Sequence, residues 1–455
     1  MRSEQPVIYW TLILVVVLAP LPYASIHPWS WSFLACAIGA LVAAWSVRVL
    51  VGVQKPAFGL RATWPFIALL AVFAGWAALQ TVTWTPAAWH HPLWESAARA
   101  LDLDLGGRVS LSPDETFAAL TRLLTYAGIF WLALQYGRRT ARAEQIFLAI
   151  IIAGAAYGLW GLLQLWFGWE SRLGLPGPDD GWFAWGTVAD SHPYATYVSM
   201  ALICASALVL ARGAATPRRS LGDLIRRLAD GSGASWPLLG VWLLLLAMIS
   251  IFRSPGDMTG AGVALVALFA VASVGKLARP LRLAVFAVGS VLTIAVVATI
   301  QEIVAPIAPL ATSDAHELDQ LQSLSLDAIA GAPLLGTGYG TFEDIFRFYR
   351  TSDFPATVLH ARSGYLETIL ELGLPAAIAA FLLVAGLLLL TLSGAVRRQR
   401  DSAYAAAGFA ATVLIGYHAA YDYSLQVPAV IATYSLLIGT ACAQARSSRR
   451  EDDDW

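Results

Sequence analysis

Charge is what this chain lacks most. Only 13% of its 455 residues are Asp, Glu, Lys or Arg, against roughly a quarter in an average soluble domain. With 58% hydrophobic residues and a mean hydropathy of +0.64, so few charges cannot cover the apolar surface of a soluble fold of this length, and lipid must be the main solvent. A soluble enzyme, a disordered scaffold and a cytosolic nucleic-acid binder are thereby excluded, and no nucleic-acid partner is expected. A net charge of -1 removes any global electrostatic steering. Cysteine is equally scarce: Cys36, Cys204 and Cys442 all sit within apolar stretches, which excludes a disulfide framework and a cysteine metal site. Walker A, GxSxG and HExxH patterns are missing as well. His90, His91 and Glu95 are close in sequence, but neighbouring histidines on a loop make a poor case for a metal, and no metal or other cofactor is expected.

What is present is apolar length. A bilayer core of about 30 Å needs roughly 20 apolar residues per helix. Such stretches run near 7–24, 29–51, 62–83, 116–137, 144–167, 193–211, 236–252, 258–275, 281–304, 372–393, 403–421 and 427–445. The expected fold is an all-α polytopic membrane protein with about twelve spans in a single transmembrane domain. The first span has no small-residue cleavage site and reads as an uncleaved anchor. The basic residues test the count independently. With a cytoplasmic N-terminus, 21 of the 29 basic residues fall on alternate connections. They include Arg48, Lys55 and Arg61, the group Arg138, Arg139 and Arg142, and Arg212, Arg397, Arg398 and Arg446. Both termini are therefore expected inside.

Three outside segments are long: 84–115, 168–192 and 305–371, the last between spans nine and ten. Trp84, Trp89, Trp94, Trp166, Trp169, Trp182 and Trp185 gather around the first two. They read as an interfacial aromatic belt, with stacking on sugars as the sharper alternative. Gly154, Gly158 and Gly161 have the spacing of close helix packing. The run Gly336-Thr-Gly-Tyr-Gly340 looks like a phosphate-cradling loop, but no strand precedes it in a dinucleotide-binding pattern. Thr341 and Asp344 have capping-box spacing, so a helix is expected to start there with Arg347 and Arg350 on neighbouring positions of one face. Pairing of Arg347 with Glu343 and Asp344 is the bland reading of that face; anion binding is the other.

Arginines near the spans carry more weight, because a charge at the bilayer centre costs roughly 2.5–3.5 kcal/mol or more. Arg122 lies about two turns into its helix from the outer end, where it either snorkels to the headgroups or grips an anion. Arg253 sits in the polar break Arg253-Ser-Pro-Gly-Asp-Met-Thr-Gly260, either paired with Asp257 or facing a diphosphate. Arg362 closes the longest outside segment. His418, Tyr421 and Asp422 mark the outer end of the eleventh span, as an ordinary terminus or as a proton-handling group.

Several segments together resemble the O-antigen ligase and polymerase superfamily of bacterial inner-membrane proteins. Ser110-Leu-Ser-Pro-Asp-Glu-Thr-Phe117, running into Thr121-Arg122-Leu-Leu-Thr-Tyr126, is similar to that family's approach to its fourth span. The segment Gly186 to Met200 is similar to the one leading into its sixth. Ser250-Ile-Phe-Arg253 resembles its Ser-Arg-Gly element. Pro333-Leu-Leu-Gly-Thr-Gly-Tyr-Gly-Thr-Phe342 and His360-Ala-Arg-Ser-Gly-Tyr-Leu-Glu-Thr-Ile-Leu-Glu-Leu-Gly-Leu-Pro375 resemble its most diagnostic motifs. The resemblance covers roughly residues 110–430. It implies metal-independent glycosyl transfer from an undecaprenyl-diphosphate-linked saccharide to a glycan or lipid acceptor, on the periplasmic side of the inner membrane, alongside other polysaccharide-assembly proteins. It implies His360 as the catalytic base and Arg253, Arg122 and Arg362 as diphosphate ligands. Arg347, Arg350, Tyr339, His192 and Asp422 are expected as further glycan or phosphate contacts. The family's second loop histidine falls on Arg362, whose guanidinium cannot serve as a base near neutral pH. A non-catalytic glycan-binding partner and a transporter remain the alternatives.

Overall fold

The computed structural model describes residues 6–167, 191–214, 236–251, 255–274, 315–351, 354, 358–398 and 401–446. The described residues form helices and loops without a strand, and the chain is an all-α polytopic membrane protein. Among the described residues, eight helices are long and apolar enough to cross a membrane. Of the expected spans, only 281–304 lies wholly outside the described residues, as do Arg253 and most of the segment 168–192.

The helices run α1 (Pro6–Leu18), α2 (Pro28–Leu50), α3 (Leu60–Gln80), α4 (Pro92–Leu101), α5 (Pro113–Tyr136), α6 (Thr140–Phe167), α7 (Ser191–Ala214), α8 (Trp236–Ile251) and α9 (Pro255–Ser273). They continue as α10 (Ala315–Gly331), α11 (Phe342–Phe346), α12 (Gly364–Leu372), α13 (Leu374–Arg397), α14 (Ser402–His418) and α15 (Pro428–Ala445). Proline at the first helical position recurs in α2, α4, α5 and α15. There it costs no hydrogen bond and its fixed φ starts the helix.

Burial separates centre from periphery. The apolar windows of α7 and α15 are 83% and 94% buried, against 17% for α2 and α3. The outer helices turn Phe33, Val47, Leu60 and Trp64 outward, as lipid-facing sides must. The inner ones pack through small residues. A Cβ on Gly439 would lie 2.5 Å from the Phe130 carbonyl oxygen, and one on Gly408 would lie 2.3 Å from Ala441 Cβ. The glycine row of α6 packs in the same way, Gly154 on Ala201, Gly158 on Met248 and Gly161 on Tyr194.

The two ends of the bundle differ chemically. One end gathers basic residues. Arg138 donates to the Ala57 carbonyl at 3.2 Å, Arg446 to that of Ala62 at 2.7 Å, and Arg212 pairs with Glu144 at 2.7 Å. Gln135 and Gln444 hold neighbouring turns, the latter donating to the Gly137 and Arg138 carbonyls. The opposite end joins the C-termini of α3 and α14 to the N-termini of α5, α7, α9 and α13, and carries the titratable residues described next.

Candidate functional site

At that second end, α14 finishes at His418 and the chain turns through Tyr421–Ser424. His418 Nδ1 donates to Asp422 Oδ2 at 2.6 Å. Asp422 also accepts from the Ser424 amide at 2.8 Å and the Ser424 hydroxyl at 3.0 Å, and that hydroxyl meets Thr196 on α7 at 2.9 Å. Both side chains are fully buried. Asp257, on the first turn of α9, lies 3.7 Å from His418 Nδ1 and has no exposed side-chain surface. It accepts from His192 Nδ1, on the first turn of α7, at 3.0 and 3.1 Å to its two oxygens. Two glycines of α9 make room. A Cβ on Gly256 would meet the Tyr421 ring at 2.8 Å, and one on Gly260 would meet His418 Nε2 at 2.9 Å.

Above this cluster rests the segment leading into α12. The Gly364 amide donates to the Ala419 carbonyl at 2.8 Å, and the Tyr365 hydroxyl to that of Gly416 at 2.7 Å. His360 stacks on Tyr423, ring centroids 4.9 Å apart and 15° between planes. Its Nδ1 lies 3.5 Å from Glu367, which also accepts from the Ala361 amide at 3.1 Å. Arg362 adopts φ +50°, a left-handed conformation that costs a non-glycine residue about 1–2 kcal/mol. It directly precedes Ser363, whose hydroxyl caps α12.

One turn beyond Glu367 is Glu371, buried at the glycine-rich loop. The loop's amides are spent internally. Gly336 N–H donates to Ala332, Thr337 to Leu370, Gly338 to the Glu371 carbonyl, Tyr339 to the Gln80 side chain and Phe342 to the Glu371 carboxyl. The Gly340 amide also reaches that carboxyl. So the acceptor in this cradle is an internal carboxyl, and the phosphate-loop likeness of the sequence is a packing device. Gly336, Gly338 and Gly340 have φ of +71°, +115° and +83°, and a Cβ on each would strike Glu371, Ser110 or Ala119.

Burial pushes the Glu371 carboxyl well above the usual range and Glu367 adds to it, while the Gly340 and Phe342 amides and the Arg122 guanidinium pull back. A carboxyl raised in the folded state contributes stability that is full below its unfolded pKa and is lost as pH rises through the folded one. Glu371→Gln should therefore flatten the fall in thermal midpoint above about pH 4.3, the unfolded value. It should match or exceed the wild-type midpoint at pH 8. A midpoint lowered equally at every pH would contradict this account.

Arg122, on α5, lies over Trp31 at 5.5 Å and within electrostatic reach of Glu371 and Tyr339. The described residues thus form an arc from Arg122 through Glu371, Glu367, His360, Tyr423, Asp422, His418 and Asp257 to His192. Starting at Leu123, the residue after Arg122, an apolar cleft of about 370 Å³ runs between α3, α5, α13 and α15. Leu123 and Tyr126 line its near end, Phe66, Leu387 and Ile438 its walls, and Arg446 its far end.

Of the expected site residues, Arg122, Tyr339, His360, Arg362, His192 and Asp422 lie at this end. Tyr339 is held edge-on to Phe73 at 5.2 Å. Arg347 instead pairs with Glu343 and Asp344 on an exposed surface, and Arg350 lies exposed beyond α11. The helix expected from Thr341 does start there, but its length is a correction. It ends at Phe346, because Phe342 and Phe346 are drawn into a buried cluster with Phe354, so the two arginines share no helical face. Thr341 does not cap with its side chain but donates to the Gly338 carbonyl at 2.7 Å. His90 bonds Thr85, and His91 caps α4.

In the sequence Asp257 stands only as a partner for Arg253, and its contacts with His192 and His418 went unseen. Their signal was three ionisable residues at equal depth on different spans. Nδ1 of His192 and one oxygen each of Asp257 and Asp422 lie within 4.8 Å of one another, a spacing a cation accepts. Asp422 also accepts three hydrogen bonds, from His418 and from the amide and hydroxyl of Ser424. No protein-family model matches the chain, and no curated protein matches it.

Proposed function

We propose that the chain is a membrane glycosyltransferase of the O-antigen ligase and polymerase type. It would take a saccharide from an undecaprenyl-diphosphate carrier and pass it to an acceptor hydroxyl at the periplasmic face of the bacterial inner membrane. The observation that carries this reading is the junction at Arg122. Arg122, whose guanidinium lies over Trp31 and within electrostatic reach of Glu371, directly precedes Leu123, which lines the apolar cleft. An amphipathic donor needs that pairing: a cation for its diphosphate and apolar walls for its tail, where each buried methylene contributes about 0.8 kcal/mol.

Diphosphate is already a good leaving group, so the site must chiefly stabilise charge and position the acceptor. Arg122, with Arg362 and with Arg253 by its place in the sequence just before α9, would hold the diphosphate, and an imidazole of the arc would take the acceptor's proton. The orientation that puts the basic end in the cytoplasm leaves this end in the periplasm. A transporter of the midplane-site type would need charges halfway along its helices, whereas these stand at helix ends.

The test uses the purified full-length chain in lipid nanodiscs, given polyprenyl-diphosphate saccharides extracted from the source cells' membranes, with the cell-surface glycan fraction as acceptor. Release of free polyprenyl diphosphate together with glycan transfer is expected. Tight donor binding with no release would replace this reading with a non-catalytic carrier-binding one, to which the guanidinium of Arg362 at a family histidine position is suited.

A further inference from the structure

We propose that His192, backed by Asp257, is the group that takes the proton from the attacking hydroxyl, with the His418–Asp422 pair positioning Asp257 behind it. This deepens the glycosyl-transfer reading above and rests on it.

The geometry is that of an oriented base. His192 Nδ1 points at both oxygens of Asp257, which sets the tautomer and leaves the Nε2 lone pair on the opposite edge of the ring. The imidazole side chain keeps 16% of its surface exposed while the carboxylate keeps none. So the imidazole is the accessible half of the pair, and the charge that stabilises an imidazolium is the buried half. Such a carboxylate orients the ring and favours its protonated form.

His360 is less well oriented. Its Nδ1 stands 3.5 Å from Glu367, at the limit of a hydrogen bond, and its ring is stacked on Tyr423. His418 has no exposed surface and cannot touch a substrate. It acts through Asp257, and its own ring is held by an Asp422 that Ser424 fixes with two hydrogen bonds. Among the described residues, the titratable groups facing His192 include Asp257 from α9, and His418, Tyr421 and Asp422 from α14 and its exit.

In the step itself, the acceptor oxygen forms a bond to the anomeric carbon of the donor while its proton passes to His192 Nε2. The bond from that carbon to the diphosphate oxygen breaks, and its electron pair leaves with the polyprenyl diphosphate. The imidazolium then returns its proton to water. No oxidant, reductant or metal is needed for the balance.

The test compares His192→Asn, His360→Gln and Asp257→Asn in the nanodisc assay described above. Asparagine at 192 keeps an N–H donor for Asp257 while removing Nε2, so the fold should hold, as read from an unchanged thermal midpoint and unchanged donor binding. Transfer by His192→Asn should fall about 100-fold or more, in the range of a lost general base, and His360→Gln should lose less than about tenfold. The wild-type rate should rise with pH as the His192 imidazolium loses its proton. That limb should vanish in His192→Asn and move to lower pH in Asp257→Asn, because loss of the carboxylate destabilises the imidazolium. A His192→Asn protein that transfers at the wild-type rate with the same pH limb would overturn the assignment and leave the glycosyl-transfer reading standing. A wild-type chain that binds no donor and releases no polyprenyl diphosphate would remove both.

Discussion

Gly336→Ala is expected to cost the protein about 2–5 kcal/mol, summing a left-handed backbone penalty and an overpacking penalty. The residue has φ +71°, and an added Cβ would lie 2.3 Å from the Glu371 carbonyl oxygen and 2.5 Å from the Gly373 nitrogen. Both are backbone atoms, so no rotamer change relieves the contact. Gly373 reciprocates, since its own Cβ would lie 2.2 Å from the Leu334 carbonyl oxygen. Two chain segments therefore touch backbone to backbone, and their contact sets the junction from which α13 starts. Tryptophan fluorescence during heating should show a clearly lowered midpoint for Gly336→Ala. Gly39→Ala, with nothing within 4 Å of its Cβ, should leave it unchanged. A phosphate cradle would behave differently, with a normal midpoint and lost donor binding.

Removal of the guanidinium at position 122 should have the second large effect. Arg122→Gln is expected to weaken binding of polyprenyl diphosphate by about 10- to 100-fold, the loss of one hydrogen bond to a charged group at about 1.5–3 kcal/mol. Arg122→Lys should lose less, keeping the charge but not the bidentate fork. Fluorescence quenching by polyprenyl diphosphate added to nanodiscs would measure both. Snorkelling to headgroups, the bland role for this side chain, predicts equal donor affinity in all three proteins.

The fold was legible where local sequence decides it. Twenty-residue apolar runs gave the helices, and the structure adds that α2, α5 and α15 start at Pro28, Pro113 and Pro428. The row Gly154, Gly158 and Gly161 announced close packing and has it. The short helix after Thr341 was misjudged, because the local capping pattern competes with the burial of Phe342 and Phe346, which sequence spacing does not register. The glycine loop was half legible. Its glycines signal positive φ, but their partners Ser110 and Glu371 lie far away in the chain. The site was least legible of all. His192 and Asp257 are 65 residues apart, and their pairing follows from how α7, α9 and α14 pack rather than from any motif.

The most direct measurement of the central claim is a cryo-EM map of the protein in nanodiscs with bound polyprenyl diphosphate. The predicted result is tail density in the cleft between α3, α5, α13 and α15, with both phosphates beside Arg122. Phosphate density at the opposite, basic end near Arg446, with the cleft holding only bilayer lipid, would contradict it.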